Sequence, residues 1–172
     1  MSFESSFPLD QALLGFLMQN PTHGYALYQR AEAELGRVWY MGMSNVYGTL
    51  KALEVDGRVE SSRDEDSYPP RTVYRTTAKG RESFLAWVRE PVPAIRDMRV
   101  ELLAKLYFFT ALNLDEMETF LDAQEALCKE RLEELEQRTA EDPKEGFGRL
   151  VSDFRRHRIH ATLDWLRALE RE

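Results

Sequence analysis

"HGYALYQRAEAELGRVWYMGMSNVYGTLKALEVDG", from His23 to Gly57, is the stretch whose reading decides the fold. Thr22 stands before it as an N-cap, and the spacing predicts a helix from His23 to Leu35, with Gly36 as its C′ stop. A linker, "RVWYMGM", follows. Ser44 then caps a further helix to about Asp56, and Gly57 ends it. Val46, Leu50 and Leu53 fall at i, i+4 and i+7, one apolar stripe of a 3.6-residue period. With that stripe inside, Ser44, Asn45, Tyr47, Gly48, Thr49 and Lys51 face outward near the helix N-terminus. Gly48 costs about 1 kcal/mol relative to Ala inside a helix, which points to close approach by another helix or by a bound backbone.

The same residues raise an enzymatic reading. Tyr47 and Lys51 have the Y-x-x-x-K spacing of a short-chain dehydrogenase, with Ser44 close by. That chemistry needs a glycine-rich nucleotide turn between a strand and a helix. The 46 residues before Tyr47 hold no such turn and read as helical. "GMSNV" also lacks the second glycine of a nucleophile elbow. The sequence therefore predicts no enzyme and no cofactor.

Working outward, "FPLDQALLGFLMQ" reads as a helix with Pro8 in its first turn and Leu9, Leu13, Phe16 and Leu17 on one face. After Gly57, "RVESSRDEDSYPPRTVYRT" alternates at Val59 and Ser61, and again at Val73 and Arg75. A two-stranded hairpin with a long polar tip follows from that pattern. Thr77 caps a helix through Glu90. The order helix, helix, helix, strand, loop, strand, helix is that of a winged helix-turn-helix. The recognition helix of such a fold presents its N-terminal residues to base edges and phosphates. Arg71, Thr72 and Arg75 on the wing, and His23 and Tyr25 at the start of the second helix, are the further candidate contacts. Asp64, Glu65 and Asp66 oppose phosphate and are expected to point away or to pair with Arg63 and Arg71.

Pro91 and Pro93 break the chain at "EPVPAIRD", which sets the boundary between residues 1–90 and 91–172. Beyond it three helices are expected. The first, Ala94 to Phe109, has a stripe of Ile95, Met98, Leu102, Leu106 and Phe109. The second starts at Asn113, with Glu116 completing a capping box, and runs to about Thr139. Met117, Leu121, Gln124, Cys128, Leu132 and Leu135 lie along one side. The third, after Pro143 and Gly146, carries Phe147, Leu150, Phe154, Ala161, Trp165 and Leu169, with Ile159, Leu163 and Leu166 elsewhere on the cylinder. Apolar residues on more than one face need more than one partner, and a second copy of the chain is the simplest source. The fold class is thus mainly α with a small β-wing: an N-terminal winged helix-turn-helix and a C-terminal helical dimerisation domain.

The chain of 172 residues is 43% hydrophobic and 31% charged, enough to bury a core. No apolar run reaches the ~18–20 residues of a membrane span, and the first residues lack a signal-peptide pattern. Cys128 is the only cysteine, so no internal disulfide is possible and a reducing, cytoplasmic setting is expected. The net charge of −7 speaks against a nucleic-acid partner, but unevenly. Residues 1–90 carry 10 basic and 12 acidic side chains, and residues 91–172 carry 13 and 18. Local fields at a binding face outweigh the whole-chain sum.

"LLGFLMQNPTHGYALYQR", "MSNVYGTLKALEVDGRVES" and "RTVYRTTAKGRESFLAWV" together resemble the PadR-type winged-helix transcriptional regulators. The resemblance lies in HGY opening the second helix, S-x-x-Y-x-x-L-x-x-L-x-x-x-G across the third, and V-Y-R-x-T-x-x-G after the wing. It covers residues 9–90. The remainder is similar to the helical dimerisation region of longer members, including virulence-activator-type regulators. The resemblance implies a homodimeric, cytoplasmic DNA-binding protein, usually a repressor on a palindromic operator. It also implies that some members respond to phenolic acids or bulky aromatic drugs. Ser44, Tyr47, Lys51 and the wing are the matching DNA-contact positions; the acidic wing tip and Asn45 depart from the pattern. Trp87 is the residue chosen to face a small aromatic effector. Asp153, His157, His160 and Asp164 share one helix face with zinc-type ligand chemistry, but Arg155, Arg156 and Arg158 oppose a cation there, and no metal is assigned. The competing reading is a winged helix that grips another protein and does not bind DNA.

Overall fold

The computed structural model describes residues 7–66, 68–141 and 145–169. The chain divides into two compact units. One is built by residues 1–90 and 99–114, the other by 91–98 and 115–172.

In the first unit α1 (Leu9–Gln19) is followed by α2 (Gly24–Leu35), α3 (Met43–Val55) and α4 (Ala78–Arg89). Three short strands, β1 (Thr22–His23), β2 (Val59–Asp64) and β3 (Arg71–Thr76), form one antiparallel sheet in the order β1-β3-β2. The wing is therefore three-stranded rather than a lone hairpin. Thr22 and His23, expected as cap and first helical turn, pair with Tyr74 and Val73. Two residues show no alternation, so only the tertiary pairing reveals this strand. The N-cap of α2 is His23, whose Nδ1 accepts the Ala26 amide proton at 3.2 Å. The third helix begins one residue before Ser44, with Gly42 as its N-cap and no side-chain cap bond. Gly57 ends it with φ +69°, a left-handed conformation in which a side chain would be strained.

The core of this unit is aliphatic beneath α3 and aromatic beneath α1. Val46, Leu50 and Leu53 are fully buried. Phe16, Phe84 and Phe108 meet edge to face, with ring centroids 5.1 and 5.3 Å from Phe108. Gly15 makes room for them, since a Cβ there would lie 2.6 Å from the rings of both Phe84 and Phe108.

Phe108 arrives from the helix expected over Ala94–Phe109. That helical run consists of α5 (Ile95–Asp97), a π turn (Met98–Leu102) and α6 (Leu103–Ala111). A π turn adds one residue to the helical period and rotates everything after it. Leu106 is only half-buried, while Lys105 and Phe108 turn inward beside Phe109, which is buried as expected. Asn113 is also corrected. It does not open the next helix but closes α6, with φ 50°. The Leu114 amide donates to the Phe109 carbonyl and the Asn113 amide to the Thr110 carbonyl, the paired bonds of a Schellman ending.

The second unit contains α7 (Met117–Glu141) and α8 (Phe147–Leu169), packed along each other. Phe120, Leu121, Gln124 and Cys128 are the buried residues of α7; Ile159, Leu163 and Leu166 are those of α8. Gln124 is fully buried and clamps the extended segment before α5: it accepts from the Val92 amide at 2.7 Å and donates to the Val92 carbonyl at 3.2 Å. Burial pushes the Cys128 thiol pKa up. Among the described residues no helix is long and apolar enough to cross a membrane.

Candidate nucleic-acid interface

The stripe beneath α3 sets the direction of everything above it. Because Val46, Leu50 and Leu53 point inward, Ser44, Asn45, Tyr47, Gly48 and Lys51 are exposed and Thr49 is half-buried. Open space surrounds Gly48, where an added Cβ would meet nothing within 4 Å. Among the described residues no helix approaches Gly48, one of the two neighbours that its glycine suggested.

Sheet pairing brings a second group beside α3. His23, Gly24, Tyr25, Tyr47, Arg71, Thr72 and Tyr74 line an open cleft of about 410 Å³. Gly24 sits under the Tyr47 ring; a Cβ there would come within 2.6 Å of it. The glycine of "HGY" thus lets the third helix lay its tyrosine over the start of the second. Sequence reasoning missed Gly24 and Tyr74 as members of the site, because their role depends on this close approach. Burial, followed by the Glu54 carboxylate and Tyr47, raises the pKa of the Tyr74 hydroxyl.

At the cleft, Arg71 Nη1 lies 2.9 Å from His23 Nε2. A neutral imidazole carries one N–H and offers one acceptor. His23 uses Nδ1 to accept the Ala26 amide, and which atom donates across the Arg71–His23 contact follows the tautomer. Both side chains stand at the N-terminus of α2, where backbone amides and the helix dipole favour negative charge. An oxyanion beside them can accept from the guanidinium. The arrangement is a cationic notch lined by the Arg71 guanidinium, the His23 imidazole and the rings of Tyr25, Tyr47 and Tyr74.

The remaining candidates are dispersed. Ser44 and Asn45 occupy the first turn of α3, and Tyr25 is half-exposed with its hydroxyl accepting from Gln29 at 3.3 Å. Arg75 alternates to the other face of β3 from Thr72 and Tyr74, opposite Glu60 in the register. Of the acidic wing residues, Glu65 pairs with Arg63 at 2.8 Å. Trp87 is half-buried in the first unit, beside Phe84 and Phe108. Its indole N–H donates to Glu101 at 2.9 Å, and the Lys105 ammonium lies 4.9 Å from its ring centroid. Burial lowers the Lys105 pKa, against the opposing pull of Glu101. On α8, Asp153 pairs with Arg156 at 3.0 Å and His157 Nδ1 lies 2.7 Å from the Asp153 carbonyl.

Residues 13–86 match the family described as "Transcriptional regulator PadR-like family", and residues 98–172 match "Virulence activator alpha C-term". A negative transcriptional regulator, PadR of Bacillus subtilis, is 24% identical over 129 residues, 74% of this chain and 71% of that one. A probable transcriptional regulator of Mycobacterium tuberculosis is 27% identical over 92 residues, 53% of this chain and 49% of that one. Among solved structures, Bacillus subtilis PadR in complex with operator DNA is similar at a TM-score of 0.49, with 22% identity, covering 96% of this chain and 97% of that one.

Proposed function

We propose, from the premise that this chain belongs to the PadR-like transcriptional regulators and carries a C-terminal helical domain, that it is a homodimeric repressor of the cytoplasm. Each protomer lays α3 in a major groove of a palindromic operator. In this reading residues 1–90 carry the DNA contacts and 91–172 carry dimerisation. The Bacillus relative's role as a negative regulator supports repression.

The observation that carries the reading is the split of α3 into a fully buried aliphatic stripe and an exposed face of Ser44, Asn45, Tyr47, Gly48 and Lys51 beside the His23–Arg71 notch. Lys51 and Arg71 supply charge, His23 and the α2 amides receive a phosphate oxygen, and the first turn of α3 reaches base edges. Two such heads bind one operator when about 34–36 Å apart, one helical turn of DNA. In the same proposal a small aromatic effector relieves repression, with Trp87, whose ring can stack on a planar ligand, as the sensing residue.

The test is titration of DNA selected from genomic fragments by the purified protein. Lys51→Glu is expected to weaken binding by about 100-fold or more, because a phosphate contact becomes a repulsion, and to leave the oligomeric state unchanged. Binding should also weaken with rising salt. Unchanged affinity in Lys51→Glu overturns the α3 assignment. Absence of any DNA selection favours the protein-gripping alternative.

A further inference from the structure

The second unit holds a concentration of arginine that the regulator reading does not use. Arg96 of α5, Arg131 and Arg138 of α7, and Arg155 and Arg158 of α8 line one cavity of about 380 Å³. Ala94, Ile95, Leu135 and Glu134 complete its wall. Five arginines and one carboxylate thus line an open cleft, in a chain whose net charge is −7.

Among the described residues, the carboxylates nearby do not neutralise the group. Glu134 takes Arg131 through both oxygens at 2.9 Å and Arg138 at 3.8 Å, so one charge serves two. Arg96 lies 3.5 Å from Asp97, its chain neighbour. Arg158 donates to the Ile95 carbonyl at 2.8 Å, which leaves its charge uncompensated. That bond and the Arg158 stack on Phe154, 5.7 Å from the ring centroid, hold the guanidinium in place. Like charges so gathered repel unless an anion joins them.

The positions are regular. Arg131, Leu135 and Arg138 recur at i, i+4 and i+7 on one face of α7, and Arg155 and Arg158 lie one turn apart on α8. Arginine forks bind phosphate and carboxylate oxygens in pairs. Ile95, Leu135 and Ala94 add an apolar patch that a bare inorganic ion would leave uncovered. The volume falls in the range of small-molecule sites.

We propose that this cavity binds a small organic polyanion: a phosphorylated compound carrying at least two negative charges on an organic body. A single carboxylate leaves most of the lining charge unmatched, whereas a di- or triphosphate answers it. The site is separate from the α3 face and does not depend on that face reading DNA.

The probes are ATP, inorganic pyrophosphate and adenosine, titrated calorimetrically into the full chain at low salt, about 50 mM, where screening is weak. ATP is expected to bind saturably at one per chain, pyrophosphate more weakly, and adenosine not at all. The double variant R138E/R155E should lose about tenfold or more in ATP affinity, while K51E, with the notch on α3 altered, keeps it. Thermal melting of R138E/R155E checks that it is folded, and R138Q/R155Q serves in its place if it is not. Equal ATP affinity in wild type and the cavity variant overturns the proposal. So does a wild type that binds neither ATP nor pyrophosphate. If, in addition, only the cavity variant is monomeric, the arginines serve as an interface between copies instead.

Discussion

Helices α3 and α8 each bury one aliphatic stripe, and they differ in what they show on the other side. Above Val46, Leu50 and Leu53, α3 exposes small polar groups, a tyrosine hydroxyl and a lysine. Opposite Ile159, Leu163 and Leu166, α8 exposes Phe147, Leu150, Phe154 and Trp165, the first of them 80% exposed. One outer face suits a hydrated, charged surface. The other gains from being covered by apolar matter, since each fully covered side chain of this size is worth about 1.5–3 kcal/mol. In the proposed reading the first touches phosphate and base edges, and a second copy of the chain covers the second.

The strongest way to break the comparison is to remove the stripe that orients α3. Leu50→Ala should cost about 2–5 kcal/mol of unfolding free energy, read by urea denaturation, since Leu50 is fully buried. A cost below 1 kcal/mol, outside that range, would mean the stripe does not anchor the helix. On α8 the double variant Leu150→Glu, Phe154→Glu should weaken self-association by about 2 kcal/mol, roughly thirtyfold in Kd. Sedimentation equilibrium measures it, and the melting of the first unit's aromatic core should be unaffected. An unchanged dimer would assign that face to another partner. The smallest effect is at Gly48. With open space around its Cβ position, Gly48→Ala should raise thermal stability by about 0.5–1 kcal/mol through helix propensity. Operator affinity should fall in the same variant if DNA approaches the helix closely. A variant that gains stability and keeps affinity would show that the glycine marks no contact.

The sequence and the structure agree best where a signal is local and repeated. The α3 stripe was legible because three aliphatics at helical spacing leave one inward direction, and the exposure of Ser44, Asn45, Tyr47, Gly48 and Lys51 then followed, Thr49 alone being half-buried. β1 was not legible, because two residues have no period and their partner lies some fifty positions on. Asn113 misled because asparagine suits an N-cap and a left-handed C′ position equally well, and the capping-box glutamate favoured the wrong one. The stripe over Ala94–Phe109 holds at Met98, Leu102 and Phe109 and slips at Leu106, because a π turn inserts one residue without any mark in composition. In the notch, His23 and Arg71 were legible by chemistry alone. Gly24 and Tyr74 were not, since each matters only through the approach of Tyr47 and of β1.

The most direct test follows backbone amide resonances of the protein as a selected DNA duplex is added. Shifts concentrated at residues 44–51, with a second group at 23–25 and 71–72, are the predicted result. Unmoved resonances along α3, with the changes gathered on α8 instead, would contradict it.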